Sequence, residues 1–560
     1  MSGQQFDPYT LEIIKSSLVA IGDEMFGALR RASMSPIIYE ALDYLVGITT
    51  AQGDLIAQGN GATLFLGMMD SLVKDILKKF AGDIRPGDVF MSNDPYEGGG
   101  THLSDVALAK PIFFDGALVA FSVNKAHWVD VGGMAAGSFT TDAREIFQEG
   151  LQLPTIKVIA EGEPVHGVLE ILKANIRVPE ASMGDFWAGI AANNVAENRV
   201  IGLFEKYGGD TVRRAMDELL DYGEQMIAAE LRRLPKGTFY AEDWIDDDGL
   251  GSESLRVCVR VEITDTKFIA DFTGSAPEAL GPINNSRTGL ISAVRTVFKA
   301  LTNPSIPANG GCFRALEGIC PDRTLFTAKR PAPVSTYWET MLYAEDLVWK
   351  ALAEHVPERL TAGHVLSVCA IILAGRDPDT GENSILVGPL AGGWGAMKTR
   401  DGLNGQFSVA GGETFNFPVE ITERRYGVLV DQYAFHDEDG GAGEYRGGKG
   451  IVLDYRVRGE EAQFTGSFGR YKFPPWGAAG GQNGSPNYSE VLRGGKPSEP
   501  REIHSKPARV VLKRGDVIRT VTATGGGWGD PRRRSDTALA EDLKNGFVTQ
   551  EQLRKYYRPA

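Results

Sequence analysis

Positive charge is in short supply in this chain. Its 58 Lys and Arg stand against 73 Asp and Glu, a formal net charge of −15 over 560 residues. That balance excludes an extended nucleic-acid groove or an affinity for anionic membranes, both of which need a basic excess. Cysteine is equally scarce. The four present, Cys258, Cys312, Cys320 and Cys369, form no CxxC pair. Neither a zinc ribbon nor a disulfide framework is indicated, and buried free thiols in a reducing compartment are expected. No apolar run approaches the ~20 residues of a membrane span. The opening Met1-Ser2-Gly3-Gln4-Gln5-Phe6-Asp7 lacks the basic-then-apolar pattern of a secretory leader. A cytoplasmic protein is expected.

Nucleotide and hydrolase signatures are missing as well. Gly443 to Gly450 reads GxxxxGKG, but Gly450 stands where a phosphate loop needs Ser or Thr to hold magnesium. These glycines are expected to serve a turn. There is no complete G-x-G-x-x-G, no G-x-S-x-G elbow and no H-E-x-x-H helix. If ATP is used, the chain shows no recognisable place to bind it.

What is abundant is glycine, 68 residues, without a fixed period, which points to tight turns, short strands and close backbone approaches. The length implies several domains at about 100–200 residues each. The pattern divides as 1–235, a region with an N-terminal helix, β-hairpins and the candidate site; 236–380, a mixed α/β middle; 381–534, a glycine-rich β region; and 535–560, a helical tail. The expected fold class is α+β and multidomain, with helices alongside glycine-rich antiparallel sheets. Asp7-Pro8 suits a helix start, and Leu11, Ile14, Leu18, Ile21, Met25 and Leu29 recur at helical spacing. Two short strands are expected around Gln52-Gly53-Asp54 and a helix over 67–80. Further helices are expected over 179–234, 285–302 and 337–375, with strands over 237–273 and from 385 onward.

Only seven histidines occur. Two of them fall in one strand-rich segment, Asn93-Asp94-Pro95-Tyr96-Glu97-Gly98-Gly99-Gly100-Thr101-His102-Leu103-Ser104-Asp105 and Asn124-Lys125-Ala126-His127-Trp128-Val129-Asp130-Val131-Gly132-Gly133. Asp115-Gly116 is a strong hairpin turn, and it folds His127 back toward His102 and Asp105. In a two-residue hairpin Phe114 opposes Ala117, so Asp105 faces Ala126 and Ser104 faces His127. That register puts Asp105 and His127 on opposite faces, and a bulge or an early end to the ladder is needed to reunite them. Pro111 makes an irregular ladder plausible. Two imidazoles and one carboxylate suit a divalent cation, with zinc the first expectation and manganese or iron(II) beside it. Three ligands leave an open position, where a cation would acidify water and polarise a carbonyl. Asp94 and Asp130 are candidates to orient the imidazoles. His355, His364, His436 and His504 are read as structural or exposed. Spacing alone equally allows two ordinary hydrogen-bonded histidines near loops.

These segments closely resemble the hydantoinase B/oxoprolinase family. The likeness rests on Asn93-Asp94-Pro95-Tyr96, Gly99-Gly100-Thr101-His102 with Asp105, Ala126-His127 with Asp130-Val131-Gly132-Gly133, and Gln148-Glu149-Gly150-Leu151. It continues through Gly281-Pro282-Ile283-Asn284, Ile306-Pro307-Ala308-Asn309-Gly310-Gly311, Gly440 to Gly448, and Gly525-Gly526-Gly527-Trp528-Gly529-Asp530-Pro531. It runs from about residue 7 to the tail. Trp394 and Trp528 interrupt glycine runs that are often plain in the family. The resemblance implies a metal at the positions of His102, Asp105 and His127, with a further carboxylate at Asp43, and these four are the candidate metal ligands as well as the candidate catalytic residues. It also implies that ATP and magnesium are bound by a partner subunit of hydantoinase A type, in an (αβ)2 kind of assembly. The implied activity is ATP-dependent opening of a cyclic amide such as a hydantoin, 5-oxoproline or a lactam. The alternatives are an ATP-dependent ketone carboxylase of the acetone or acetophenone type, a non-haem iron oxygenase, and a non-catalytic scaffold for the ATP-binding subunit.

Overall fold

A computed structural model describes residues 7–497, 499 and 501–559. The opening Met1–Phe6, read above as lacking a leader, lies outside the described residues. Helix α1 (Pro8–Ala32) begins where Asp7 accepts the free amides of Tyr9 and Thr10. It buries Ile14, Leu18, Ile21, Met25 and Leu29, the stripe its 3.6-residue period predicts. The short α2 (Pro36–Tyr39) and then β1 (Tyr44–Thr50), β2 (Leu55–Gln58) and α3 (Met69–Lys79) follow.

Strands β3 (Val89–Ser92), β4 (Asp105–Phe114), β5 (Ala117–His127), β6 (Ile156–Ala160) and β7 (Glu163–Pro164) complete a seven-stranded sheet in the order β2-β1-β5-β4-β3-β6-β7. After α4 (His166–Asn175), helix α5 (Pro179–Tyr207) packs on β4 and β5, with α1 lying against it. Helix α6 (Gly209–Leu231) leads into a second sheet of β8 (Gly237–Ile245), β9 (Leu255–Ile263), β10 (Phe268–Asp271) and, after α7 (Arg287–Thr302), β11 (Leu316–Ile319). Its β10–β11 pair is parallel, an exception to an otherwise antiparallel architecture.

Helix α8 (Trp338–Leu352) is buried on all sides. It stops at Leu352, and the expected helix over 337–375 gives way to strand β12 (Ala370–Arg376). The apolar run Ala370-Ile371-Ile372-Leu373 is buried whichever way it folds, and periodicity cannot separate a short buried strand from a buried helix. β12 forms a third sheet with β13 (Asn383–Gly388) and two later strands, Glu461–Ser467 and Val510–Lys513. A fourth, six-stranded sheet holds the remaining strands of the glycine-rich region. One continuous apolar core runs through elements of all four sheets. The tail closes with a helix over Asp536–Asn545, ended by Gly546 in the left-handed conformation at φ 73°, and a second short helix at Gln550–Gln552. The fold is α+β, as the pattern predicts. All four cysteines are free and buried. No described helix is long and apolar enough to cross a membrane.

The glycine runs near 393, 447 and 525 meet one another backbone to backbone. A Cβ on Gly525 would stand 1.9 Å from the Trp394 carbonyl oxygen, and one on Gly393 would stand 2.2 Å from that of Gly448. The GxxxxGKG stretch belongs to this contact: a Cβ on Gly447 would lie 1.9 Å from the Gly525 carbonyl. Its glycines are there for close packing rather than for the turn expected of them.

Candidate metal centre

Strands β4 and β5 make the hairpin that the Asp115-Gly116 turn predicts, but a bulge between Ile112 and Phe113 shifts the register by one. Asp105 therefore pairs with His127, not with Ala126 as the unbroken ladder requires. Directly opposed residues share a face, so the bulge reunites the two side chains. His102 comes from the turn ahead of β4, where its carbonyl accepts the Asp105 amide at 3.2 Å. The His127 amide donates to the Asp43 carbonyl at 3.1 Å, which ties the loop before β1 to the end of β5.

Three donor atoms converge. Asp105 Oδ1 lies 3.1 Å from His102 Nε2 and 3.2 Å from His127 Nδ1, and the two ring nitrogens are 3.3 Å apart. Ligands at about 2.0–2.1 Å from a tetrahedral cation stand about 3.4 Å from each other, so this spacing suits a tetrahedral divalent cation. Proton placement agrees. His102 Nδ1 lies 3.0 Å from the Ser335 carbonyl, which can only accept, so Nδ1 carries the hydrogen and Nε2 turns a lone pair to the centre. A lone pair and a carboxylate oxygen crowded together want a cation between them. His102, Asp105 and His127 are also the one group among the described residues with metal-ligand geometry.

The surroundings fix these ligands. Asp105 Oδ2 accepts from Tyr337 Oη at 3.1 Å and from Thr101 Oγ1. Glu149 Oε1 accepts the amides of Val334 and Ser335 at 2.7 and 2.8 Å, and so steadies the carbonyl that sets the His102 tautomer. Asp94 and Asp130 do not perform this task. Asp94 bonds the Tyr96 amide and Arg330, while Asp130 bonds the amides of Gly132 and Gly137 and the Arg177 guanidinium. Their side chains are consumed by turns and ion pairs. Sequence reasoning missed Tyr337 and Ser335 altogether. It quoted Glu149 within Gln148-Glu149-Gly150-Leu151 without a role, and that motif was the available signal.

His102, Asp105 and His127 are buried. Burial pushes the His102 imidazolium down and outweighs the pull of Asp105, so the ring is neutral. Burial opposes ionisation of Asp105 too, but the two histidines hold its carboxyl well below the usual range. For His127, burial is overcome by the hydrogen bond to Asp105 and the charge of Asp43, and its pKa is raised. Asp43 lines the same cavity with its side chain 24% exposed, Oδ2 4.0 Å from His127 Nδ1, which sets it outside the converging trio. Burial raises its carboxyl to about 6, with Asp105 adding to the rise and His127 opposing it. Lys125 is buried, donates to the Gly99 carbonyl at 3.1 Å, and is lowered to about 8 by burial against the pull of Asp105 and Asp43.

The trio opens on a cavity of about 70 Å³, walled by Leu64 and Phe139, by Trp338 and Met341 of α8, by Val387 of β13 and by Phe407. The cavity therefore draws on the first sheet, the start of α8 and the third sheet. The other histidines lie elsewhere: His355 packs on Phe239, His364 stacks on Trp394, and His436 Nε2 donates to the Thr522 carbonyl.

Comparison with known proteins places this geometry in context. The hydantoinase B/oxoprolinase family model matches residues 7–531. The caprolactamase subunit beta of Pseudomonas jessenii is 30% identical over 98% of this chain and 96% of its own. The crystal structure of the ATP-dependent caprolactamase from that organism superposes with a TM-score of 0.92, covering 99% of this chain and 96% of the other at 30% identity. The 5-oxoprolinase 1 of Arabidopsis thaliana is 27% identical over 93% of this chain, which corresponds to only 42% of that longer protein. A nucleotide-free acetone carboxylase shares the fold, with a TM-score of 0.91 over 98% of this chain and 79% of the other at 20% identity.

Proposed function

We propose, because the chain belongs to the hydantoinase B/oxoprolinase family, that it is the metal-dependent subunit of an ATP-dependent hydrolase that opens a cyclic amide. Its partner is an ATP-binding subunit of hydantoinase A type, in an (αβ)2 kind of assembly. The observation that carries this reading is the convergence of His102 Nε2, Asp105 Oδ1 and His127 Nδ1 at the wall of a largely apolar cavity. Zinc suits that donor set first, with manganese or iron(II) beside it. When bound there, a divalent cation supplies Lewis acidity toward the carbonyl and acidifies water.

The remaining work falls to protein groups. Asp43 is the base: with its carboxyl near 6, it is ionised at neutral pH and can take a proton from the water that adds to the carbonyl carbon. Tyr337 and Thr101 keep Asp105 aimed at the two histidines. Trp338 and Phe139, stacked at 5.2 Å, close one wall against bulk water. Energy coupling is assigned to the partner. An unstrained amide resists hydrolysis, and this sequence has no phosphate loop. The word "subunit" in the relative's name and the greater length of the 5-oxoprolinase both fit a second catalytic half.

The test is to co-express the chain with a candidate ATP-binding subunit of hydantoinase A type, measure metal by mass spectrometry, and assay ring opening with and without ATP. Caprolactam, hydantoins and 5-oxoproline serve as substrates, with a ketone plus bicarbonate as the competing reaction. About one divalent ion per chain and ATP-dependent ring opening are expected. His102→Ala should lose the metal and lower turnover by about 10³-fold or more. Full activity in a metal-free His102→Ala complex, or ketone carboxylation without ring opening, overturns the reading.

A further inference from the structure

The cavity beside the metal centre carries negative charge and almost no means of answering a negative substrate. Its charged lining groups are Asp43 and Asp105, and no described lining residue is Lys or Arg. Lys125, the buried cation on β5, is not a lining residue: its Nζ is turned to the Gly99 carbonyl and Met68 Sδ and lies 5.1 Å from the Phe65 ring. A divalent cation held by the trio has its two charges met by Asp105 and Asp43. No surplus of positive charge is left for a ligand.

We propose, resting on the hydrolase reading above, that this site selects an uncharged cyclic amide with an apolar ring or ring substituent and rejects a ring bearing a free carboxylate. The walls at Leu64, Phe139, Trp338, Met341, Val387 and Phe407 reward apolar surface removed from water. A carboxylate brought among them would lose its hydration with no counter-charge to replace it. What the cavity does offer is neutral. Ser408 and Thr414 line the space with hydroxyl side chains. Those groups suit the N–H and C=O of an amide.

The test uses the metal-loaded, co-expressed complex and substrate pairs that differ only in charge: 5-oxoproline with its methyl ester, and hydantoin-5-acetic acid with its methyl ester. The neutral member should be favoured by about 100-fold or more in kcat/KM, equivalent to about 2.7 kcal/mol. Thr414→Arg, which adds a cation at the cavity wall, should narrow that preference by about tenfold. Within-threefold turnover of both members of each pair overturns the proposal. A ligand-induced thermal shift is read in parallel on the same compounds. If nothing is ring-opened, the hydrolase reading fails, and the shift alone decides. Stabilisation by the esters and lactams but not by the acids upholds the charge selection, and equal stabilisation overturns it.

Discussion

The β4–β5 hairpin and the glycine contacts around Gly393, Gly447 and Gly525 are both places where the chain comes unusually close to itself, and they achieve it by opposite means. At the hairpin, close approach is made by polar side chains whose atoms converge on a point at 3.1–3.3 Å. At the glycines, side chains are absent, and carbonyl oxygens occupy the space a Cβ would need. Crowded ligating atoms mark chemistry, because one cation can satisfy all three at once. Crowded backbone marks packing, because it satisfies hydrogen bonds such as Gly525 N to the Gly448 carbonyl at 3.0 Å and needs nothing further. A near-match to a phosphate loop at Gly443 to Gly450 belongs to the second kind.

The contrast can be broken most sharply at Gly525. Gly525→Ala forces a Cβ to within 1.9 Å of a carbonyl oxygen, and about 4 kcal/mol or more of stability should be lost, read by thermal or urea unfolding. Metal content per folded molecule should stay unchanged. A variant melting within about 2 °C of the parent would show that the contact yields easily. Asp43→Asn reverses the pattern, with a small change in unfolding and about 100-fold lower kcat/KM. The raised Asp43 carboxyl is protonated below about pH 6 and ionised above it, so parental activity should rise with pH up to about that point. The variant should lack this acid limb, and an acid limb that persists would assign it to another group. The smallest effect is expected at Tyr337→Phe, which removes one donor to Asp105 Oδ2. Metal affinity should fall by about tenfold, by competition against a chelator, with little change in unfolding. Unaltered affinity would mean that Thr101 alone suffices.

Local features of this molecule were readable from local sequence. Asp7-Pro8, the helical stripe from Ile14 to Leu29 and the Asp115-Gly116 turn each act on neighbours a few residues away, and each appears where its chemistry requires. The unbroken hairpin register was off by one, and the bulge needed to reunite Asp105 with His127 lies at Ile112/Phe113, beside the Pro111 that marks the ladder as irregular. The helix expected over 337–375 overran because burial on all sides erases the period that distinguishes α8 from β12. At the site, His102, Asp105 and His127 were recognisable as residue types, while Asp43 came only with the family resemblance. Tyr337 and Ser335 reach the site from far along the chain, and no spacing rule connects them to it. Asp94 and Asp130 looked equally suitable on spacing, yet Arg330 and Arg177 had already claimed them.

The hydrogen bond from His102 Nδ1 to the Ser335 carbonyl spans 233 positions, and that separation orders events during synthesis. All three donor residues are synthesised by residue 127, and their hairpin is local enough to close early. Until the segment near residue 335 arrives, however, nothing holds the hydrogen on Nδ1, and Tyr337 is not there to turn Asp105. Capture of the proposed cation would thereby wait until about three-fifths of the chain is made. Occupancy of the proposed centre would then certify that two regions made at different times have docked correctly.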